Sequence, residues 1–179
     1  MKLCGLDFET ANWADGSICA VGAALVTDGE VTGRCEYLIK PHVSVDYMSR
    51  FCRNVHGISY EELRESPEFF EVWAVVRKML TAADLVVIHN AYFDLRHLRK
   101  VLEMYDLPAV SFNYVCSLNL SRYHFPELPK HGLADMAAHF GITFRHHDAL
   151  EDAETCAKIA SQLEIPENFI SRFEYTPAV

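Results

Sequence analysis

Apolar and polar residues alternate over Lys2–Thr10, and a second, more continuous apolar run follows at 18–26. Both patterns read as strands. Asp28-Gly29 separates the second run from a third at 31–39, a composition that predicts a hairpin with antiparallel arms. Pro41 offers no N–H to a ladder and stops the third strand. The period then lengthens to that of a helix. Ser59 stands three residues before Glu62, as a capping box requires, and Ser66-Pro67 supplies an N-cap with proline at the first helical position. Phe69, Trp73, Val76 and Leu80 recur at helical spacing and form one core-facing stripe. Residues 85–89 are almost wholly apolar and suit a strand covered on both faces. A helical pattern follows over 93–104, a β-type run over 111–116, a helix near Leu118, a short helix ending at Gly141 and a long helix over 149–163. Paired strands, then strands alternating with helices, predict an α/β domain on a mixed sheet.

Glycine and proline occur singly, without repeats, low-complexity tracts or linkers, so the 179 residues read as a single domain, 1–179. Its motif-bearing core ends near 163, and a short tail covers 164–179. No apolar run approaches the roughly 20 residues that cross a bilayer, and the N-terminus leads straight into strand. A cytoplasmic protein without a membrane segment is expected. The six cysteines lie in apolar stretches with no C-x-x-C pair, as reduced core thiols do, and no short Cys/His spacing points to zinc.

A net charge of −9 argues against a broad basic surface gripping long nucleic acid by its phosphates. If the substrate is a polyanion, something other than side-chain charge must neutralise it locally. Divalent cations can do so, which directs attention to the acids.

Asp7 and Glu9 project to the same side of the first strand, about 7 Å apart at Cα, while Leu6 and Phe8 project into core. Two like charges at the end of an apolar strand repel one another and resist desolvation unless a cation lies between them. Alternating acids on a surface strand are common, so the pair alone decides little. Asp94 shares a helix face with Leu98, Val101 and Tyr105, an acid heading a buried stripe, although a first-turn acid also complements the helix dipole. Asp148 and Glu151 are spaced as N-cap and N3 of a capping box, which gives both a structural task. Asp152 has none, and it heads the stripe of Cys156, Ile159 and Leu163. His147, just before that helix, is a candidate general base because its ordinary pKa lies near neutrality. Hard oxygen donors from one strand end and two helix starts suit Mg²⁺ or Mn²⁺ and a two-metal phosphodiester site.

These residues stand in three segments: Asp7-Phe8-Glu9-Thr10, His89-Asn90-Ala91-Tyr92-Phe93-Asp94 and His147-Asp148-Ala149-Leu150-Glu151-Asp152. In order and separation they resemble the motifs of the DEDDh, or DnaQ-like, 3′→5′ exonucleases, a group that includes the epsilon subunit of DNA polymerase III and RNase T. Val55-His56-Gly57-Ile58 resembles the short segment that this family places beside the 3′ end. The resemblance covers about residues 1–163. It implies a ribonuclease H-like fold with a five-stranded mixed sheet flanked by helices. It also implies that Asp7, Glu9 and Asp152 hold a first metal, that Asp7 touches a second, that Asp94 supports the site largely through water, and that His147 deprotonates the attacking water. Thr10, His56, Asn90 and Phe93 are then expected to approach the terminal nucleotides, although Phe93 also fits core packing and His56 a turn.

The expected activity is release of nucleoside 5′-monophosphates from the 3′ ends of single-stranded or frayed DNA, with two Mg²⁺ or Mn²⁺ ions. An exoribonuclease of the RNase T or oligoribonuclease type would use the same catalytic residues, and a non-catalytic nucleic-acid-binding module is the reading from another class. The short segment after the last motif gives no support to association with a DNA polymerase and leaves 164–179 as a possible dimer or packing segment.

Overall fold

In the computed structural model, which describes residues 1–177, the alternation at the N-terminus becomes three strands: β1 (Lys2–Thr10), β2 (Ile18–Thr27) and β3 (Glu30–Leu38). Asp28 and Gly29 both have positive φ, 52° and 82°, the twist that lets a two-residue turn join antiparallel arms. A single 3₁₀ turn, Val43–Val45, leads to α1 (Arg50–His56) and α2 (Tyr60–Arg64). At α2 the predicted capping box forms. Glu62 N–H donates to Ser59 Oγ at 3.3 Å, and Ser59 N–H donates to Glu62 Oε2 at 2.8 Å.

The next helix, α3 (Phe69–Thr81), starts later than Ser66-Pro67 predicts. Lys40 N–H donates to Pro67 O at 2.9 Å, holding 67–68 extended, while Ser66 Oγ donates back to Glu62 O at 2.9 Å. The N-cap is therefore Glu68, whose N–H donates to Glu71 Oε2 at 2.8 Å. The stripe itself holds, with Phe69, Trp73, Val76 and Leu80 all buried. The chain continues as β4 (Leu85–Ile88), α4 (Ala91–Met104), β5 (Val110–Cys116), α5 (Ser117–His124), α6 (Leu133–His139), α7 (Ala149–Ala160) and β6 (Ser171–Tyr175).

The sheet order is β3-β2-β1-β4-β5-β6, with β1, β4 and β5 mutually parallel and the remaining pairs antiparallel. This is the expected ribonuclease H-like mixed sheet flanked by helices, with one correction: it has six strands, not five. The sixth comes from the tail. Phe173 stacks on Phe112 with ring centroids 5.0 Å apart, and Tyr175 Oη–H donates to Leu102 O at 3.0 Å. No helix among the described residues is long and apolar enough to cross a membrane.

The two faces of β1 set the position of everything that follows. Cys4, Leu6 and Phe8 enter the core shared with α3 and α4. The other face opens at Gly5, and at Gly22 on β2, onto the backbone of α7. A Cβ on Gly5 would lie 1.8 Å from Ala153 O, and one on Gly22 2.1 Å from Ala149 O. Only hydrogen fits there, so α7 sits directly on the sheet. That close approach carries the first turn of α7 to the end of β1.

Candidate functional site

β1 ends with a register shift between Glu9 and Thr10, and the parallel β4 runs toward the same edge of the sheet before α4 begins. Carboxyl ends of parallel strands are where open α/β sheets leave a crevice. Three elements send carboxylates into this one. Asp7 and Glu9 come from β1. Asp94, 2% exposed, comes from the first turn of α4, where its Oδ1 accepts Phe8 N–H at 3.1 Å. Asp152 comes from the first turn of α7.

The start of α7 is more heavily tied than a capping box alone would make it. Asp148 is the N-cap, accepting Glu151 N–H at 3.0 Å, as predicted. Glu151, however, accepts the N–H of Arg145 rather than that of the cap, and the Arg145 guanidinium pairs with Asp148. The chain at 145–148 is thus folded over the helix start. His147 takes a left-handed φ of 67° there, which places its N–H toward Asp152 Oδ2 at 3.2 Å. A non-glycine residue held at positive φ costs energy that the surroundings must offset. Asn90, directly before α4, has φ 63°, so both histidine- and asparagine-bearing turns flank the carboxylates in the same strained conformation.

Carboxylate oxygens of Asp7, Glu9 and Asp152 lie within 4.8 Å of one another, with Asp94 outside that trio. Asp152 Oδ1 is buried without a hydrogen-bond partner. An unpartnered buried carboxylate oxygen facing two other carboxylates is expensive unless a cation coordinates it. The residues therefore fit a Mg²⁺- or Mn²⁺-type ion, since all the donors are hard oxygens. Electrostatics agree. Burial, then the charges of Asp94, Asp152 and Glu9, hold the Asp7 carboxyl well above its usual range. Burial followed by Asp152 pushes Glu9 up to about 8, and burial pushes Asp152 up to about 7. Burial likewise raises Asp94, against the pull of the Phe8 N–H. The protein concentrates negative charge where, without a counter-cation, protons must take its place.

His147 Nδ1 is 3.9 Å from Glu9 Oε1, and burial lowers its pKa below 6.5, so it is neutral and able to accept a proton at neutral pH. His146 was not anticipated. Its ring stacks on that of His147 at 3.9 Å, and its Nε2 lies 3.8 Å from Asp152 Oδ2. Adjacent histidines in a loop give no period that would single out His146 beside His147.

These groups line a cleft of about 430 Å³ that also contains Thr10, His56, Asn90 and Phe93, so all nine residues named from the sequence meet in one place. His56 has an assignable tautomer. Ile58 N–H donates to Nδ1 at 3.0 Å, so Nε2 carries the hydrogen and donates to Thr10 O at 3.3 Å. The apolar wall was missed. Trp13 and Phe51, 67% and 58% exposed, pack with centroids 5.1 Å apart on one side of the cleft, with Val55 beside them. The available signal was Trp13 itself, a large aromatic in the polar turn Ala11-Asn12-Trp13-Ala14-Asp15 directly after the acid pair. That turn is fixed from both sides. Asn12 Nδ2 donates to Val45 O and Tyr47 O, each at 2.8 Å, and Gly16 N–H donates to His97 Nδ1 at 3.1 Å.

Comparisons with known proteins bear on the family and the fold. Residues 4–160 match the model of the RNase T family, described as exonuclease. A DNA polymerase III of PolC type from Staphylococcus saprophyticus is 31% identical over 165 residues, covering 88% of this chain and 11% of the polymerase. One from Oceanobacillus iheyensis is 30% identical over 139 residues, covering 77% and 10%. The chain thus spans about a tenth of the length of these relatives. Among solved structures, Exonuclease X in complex with 5′ overhanging duplex DNA superposes with a TM-score of 0.71 at 22% identity, over 89% of each chain. The nuclease domain of 3′hExo bound to rAMP gives 0.72 at 19% over 90% of each. Pop2p of S. pombe in its Mg²⁺- and Mn²⁺-bound form gives 0.73 at 16%, over 94% of this chain and 87% of that one.

Proposed function

The chain belongs to the RNase T exonuclease family, and on that premise we propose that it removes nucleoside 5′-monophosphates from the 3′ ends of single-stranded or frayed DNA by metal-assisted hydrolysis. The observation that carries the reading is the convergence of Asp7, Glu9 and Asp152 within 4.8 Å beside a buried, unpartnered Asp152 oxygen. In this reading Asp7, Glu9 and Asp152 would hold one divalent cation, Asp7 would also serve a second, and Asp94 would support the site. When bound, such ions lower the pKa of water and offset charge on the phosphate and leaving oxygen. His147, neutral at working pH, accepts the proton of the attacking water. Asn90 and the backbone about Thr10 position the terminal nucleotide. The Trp13 and Phe51 rings offer an apolar face to its base, and His56 and Phe93 line the same cleft.

The PolC-type relatives support DNA as the first substrate to assay, and they make association with a polymerase a proposal worth testing. The exoribonuclease reading rests on the same residues and differs in tolerance of the 2′-hydroxyl. A cytoplasmic setting remains part of the proposal. The deciding experiment is digestion of matched 3′-labelled DNA and RNA oligomers, single-stranded and duplex, with Mg²⁺, Mn²⁺ or chelator. Loss of label from the 3′ end, dependent on metal, is expected. Binding without hydrolysis under every metal condition would remove the enzymatic proposal.

Two variants separate the roles. His147→Gln should lower kcat by about 10²-fold or more while leaving metal-induced thermal stabilisation in place. If that stabilisation disappears as well, His147 is a metal ligand rather than a base. Trp13→Ala should raise KM about tenfold with kcat within about twofold, since base–aromatic stacking contributes about 1–3 kcal/mol. A fall in kcat alone would place the ring outside the substrate path.

A further inference from the structure

A second depression lies on the other side of Asn90. It has a volume of about 830 Å³, larger than the carboxylate cleft, and runs between α4, α5 and the β5–β6 edge of the sheet. Four arginines line it: Arg96 and Arg99 from α4, Arg122 from α5 and Arg172 from β6. Aspartate and glutamate are absent from its lining. In a chain with 25 acids against 16 Lys and Arg, that is a strong local reversal of sign.

The two depressions share one helix. Asn90 lines both. Phe93 and Asp94 face the carboxylates, whereas Tyr92, Leu95, Arg96 and Arg99 line the groove at the i, i+3, i+4 and i+7 positions of a single helix face. From Tyr92 to Arg99 that face runs roughly 10 Å away from the site. One aromatic surface accompanies the charges: Tyr92 is 77% exposed, with the Arg96 guanidinium 5.8 Å from its ring centroid, while Arg99 lies 5.0 Å over the buried Phe173 ring. Two of the arginines pair with acids, Arg96 with Asp15 at 3.1 Å and Arg172 with Glu174, neither acid being part of the lining. Arg122 is exposed and has no acidic partner among the described residues.

We propose that this groove holds the sugar-phosphate backbone, with stacked bases, of the nucleic-acid strand on the 5′ side of the nucleotide being removed. The proposal rests on the exonuclease reading above. Guanidinium groups match phosphate oxygens in forked geometry, and the exposed Tyr92 face beside them accepts a base of any sequence. An acidic protein segment would use the arginines but would leave the exposed Tyr92 face without a matching group. Continuity through Asn90 lets one strand occupy groove and cleft together. It also reconciles an acidic protein with a polyanionic substrate, because the basic surface is local.

The test compares a trinucleotide with a 12-mer of single-stranded DNA, using wild type and the Arg96→Gln/Arg122→Gln variant. Arg99 is left in place because it donates to Glu174 O at 2.8 Å and holds β6. Wild type should favour the 12-mer in kcat/KM by about tenfold. The double variant should lose that preference, keep trinucleotide hydrolysis within about twofold, and show a salt slope smaller by about 1.4, two single-strand phosphate contacts. Arg122→Gln alone, which breaks no ion pair, should give about half the change in slope. Equal losses on both lengths would mean a structural defect and overturn the proposal. So would an unchanged length preference, which would leave the groove to an acidic protein partner. If wild type hydrolyses neither oligomer, the exonuclease reading fails. The groove is then judged by fluorescence anisotropy of a labelled 12-mer on Asp7→Asn protein, where the arginine changes must still weaken binding.

Discussion

Asp7→Asn should lower activity by about 10³- to 10⁴-fold and at the same time raise the melting temperature of the metal-free protein above pH 7. The loss follows from removing a charged oxygen at the point where both cations are expected, an effect of several kcal/mol at 1.36 kcal/mol per tenfold. The gain follows from the electrostatics of the cluster. Asp7 is desolvated and faces Asp94, Asp152 and Glu9, all of which raise its pKa. A carboxylate whose folded pKa is raised adds stability below its ordinary pKa and loses it as pH rises through the folded value. For Glu9 and Asp152 those folded values are about 8 and about 7. The metal-free wild type should therefore melt at lower temperature as pH rises from about 4 to 8, and the Asn variant should show a flatter profile. Mg²⁺ or Mn²⁺ should restore wild-type stability increasingly with pH, because cation and proton compete for the same oxygens. Differential scanning fluorimetry from pH 4.5 to 8.5, with and without metal, reads all of this. A variant that melts lower than wild type at pH 8 without metal would show that Asp7 is a structural acid.

Gly5→Ala should destabilise the protein by about 3 kcal/mol or more and reduce activity at least about 10²-fold, although Gly5 touches no substrate. The new methyl would need the space of Ala153 O, 1.8 Å away, so α7 must move off β1. Asp152 is one residue before Ala153 and moves with it. Its oxygens then leave the range of Asp7 and Glu9. Urea denaturation followed by metal titration of the variant checks the two effects separately. Unchanged stability together with full activity would mean that α7 is not seated through the glycines.

Much of this molecule was legible before any coordinates. The hairpin at Asp28-Gly29, the Phe69–Leu80 stripe and the capping residues at Ser59 and Asp148 all depend on neighbours within a few positions, and local rules describe them. The candidate set was legible for a related reason. Acids that head apolar stripes break the local pattern, and such breaks mark sites. Ser66-Pro67 misled because a long-range bridge from Lys40 outweighed a local helix-start signal. β6 was missed because Ser171–Tyr175 has only two inward residues, Phe173 and Tyr175, and acquires its strand from pairing with β5. α1 is seven residues long, too short for a period to emerge.

The sequence by itself determined most of the elements, the five candidate site positions and the chemistry of their donors, because these follow from side-chain type and spacing along the chain. Only the tertiary structure decided how near the acids stand, that Trp13 and Phe51 wall the cleft, and that Arg96, Arg99, Arg122 and Arg172 share a groove. The physical reason is that charge and contact act through space. A net charge of −9 is a sum over the chain, whereas the field felt by a ligand depends on which residues the fold places side by side.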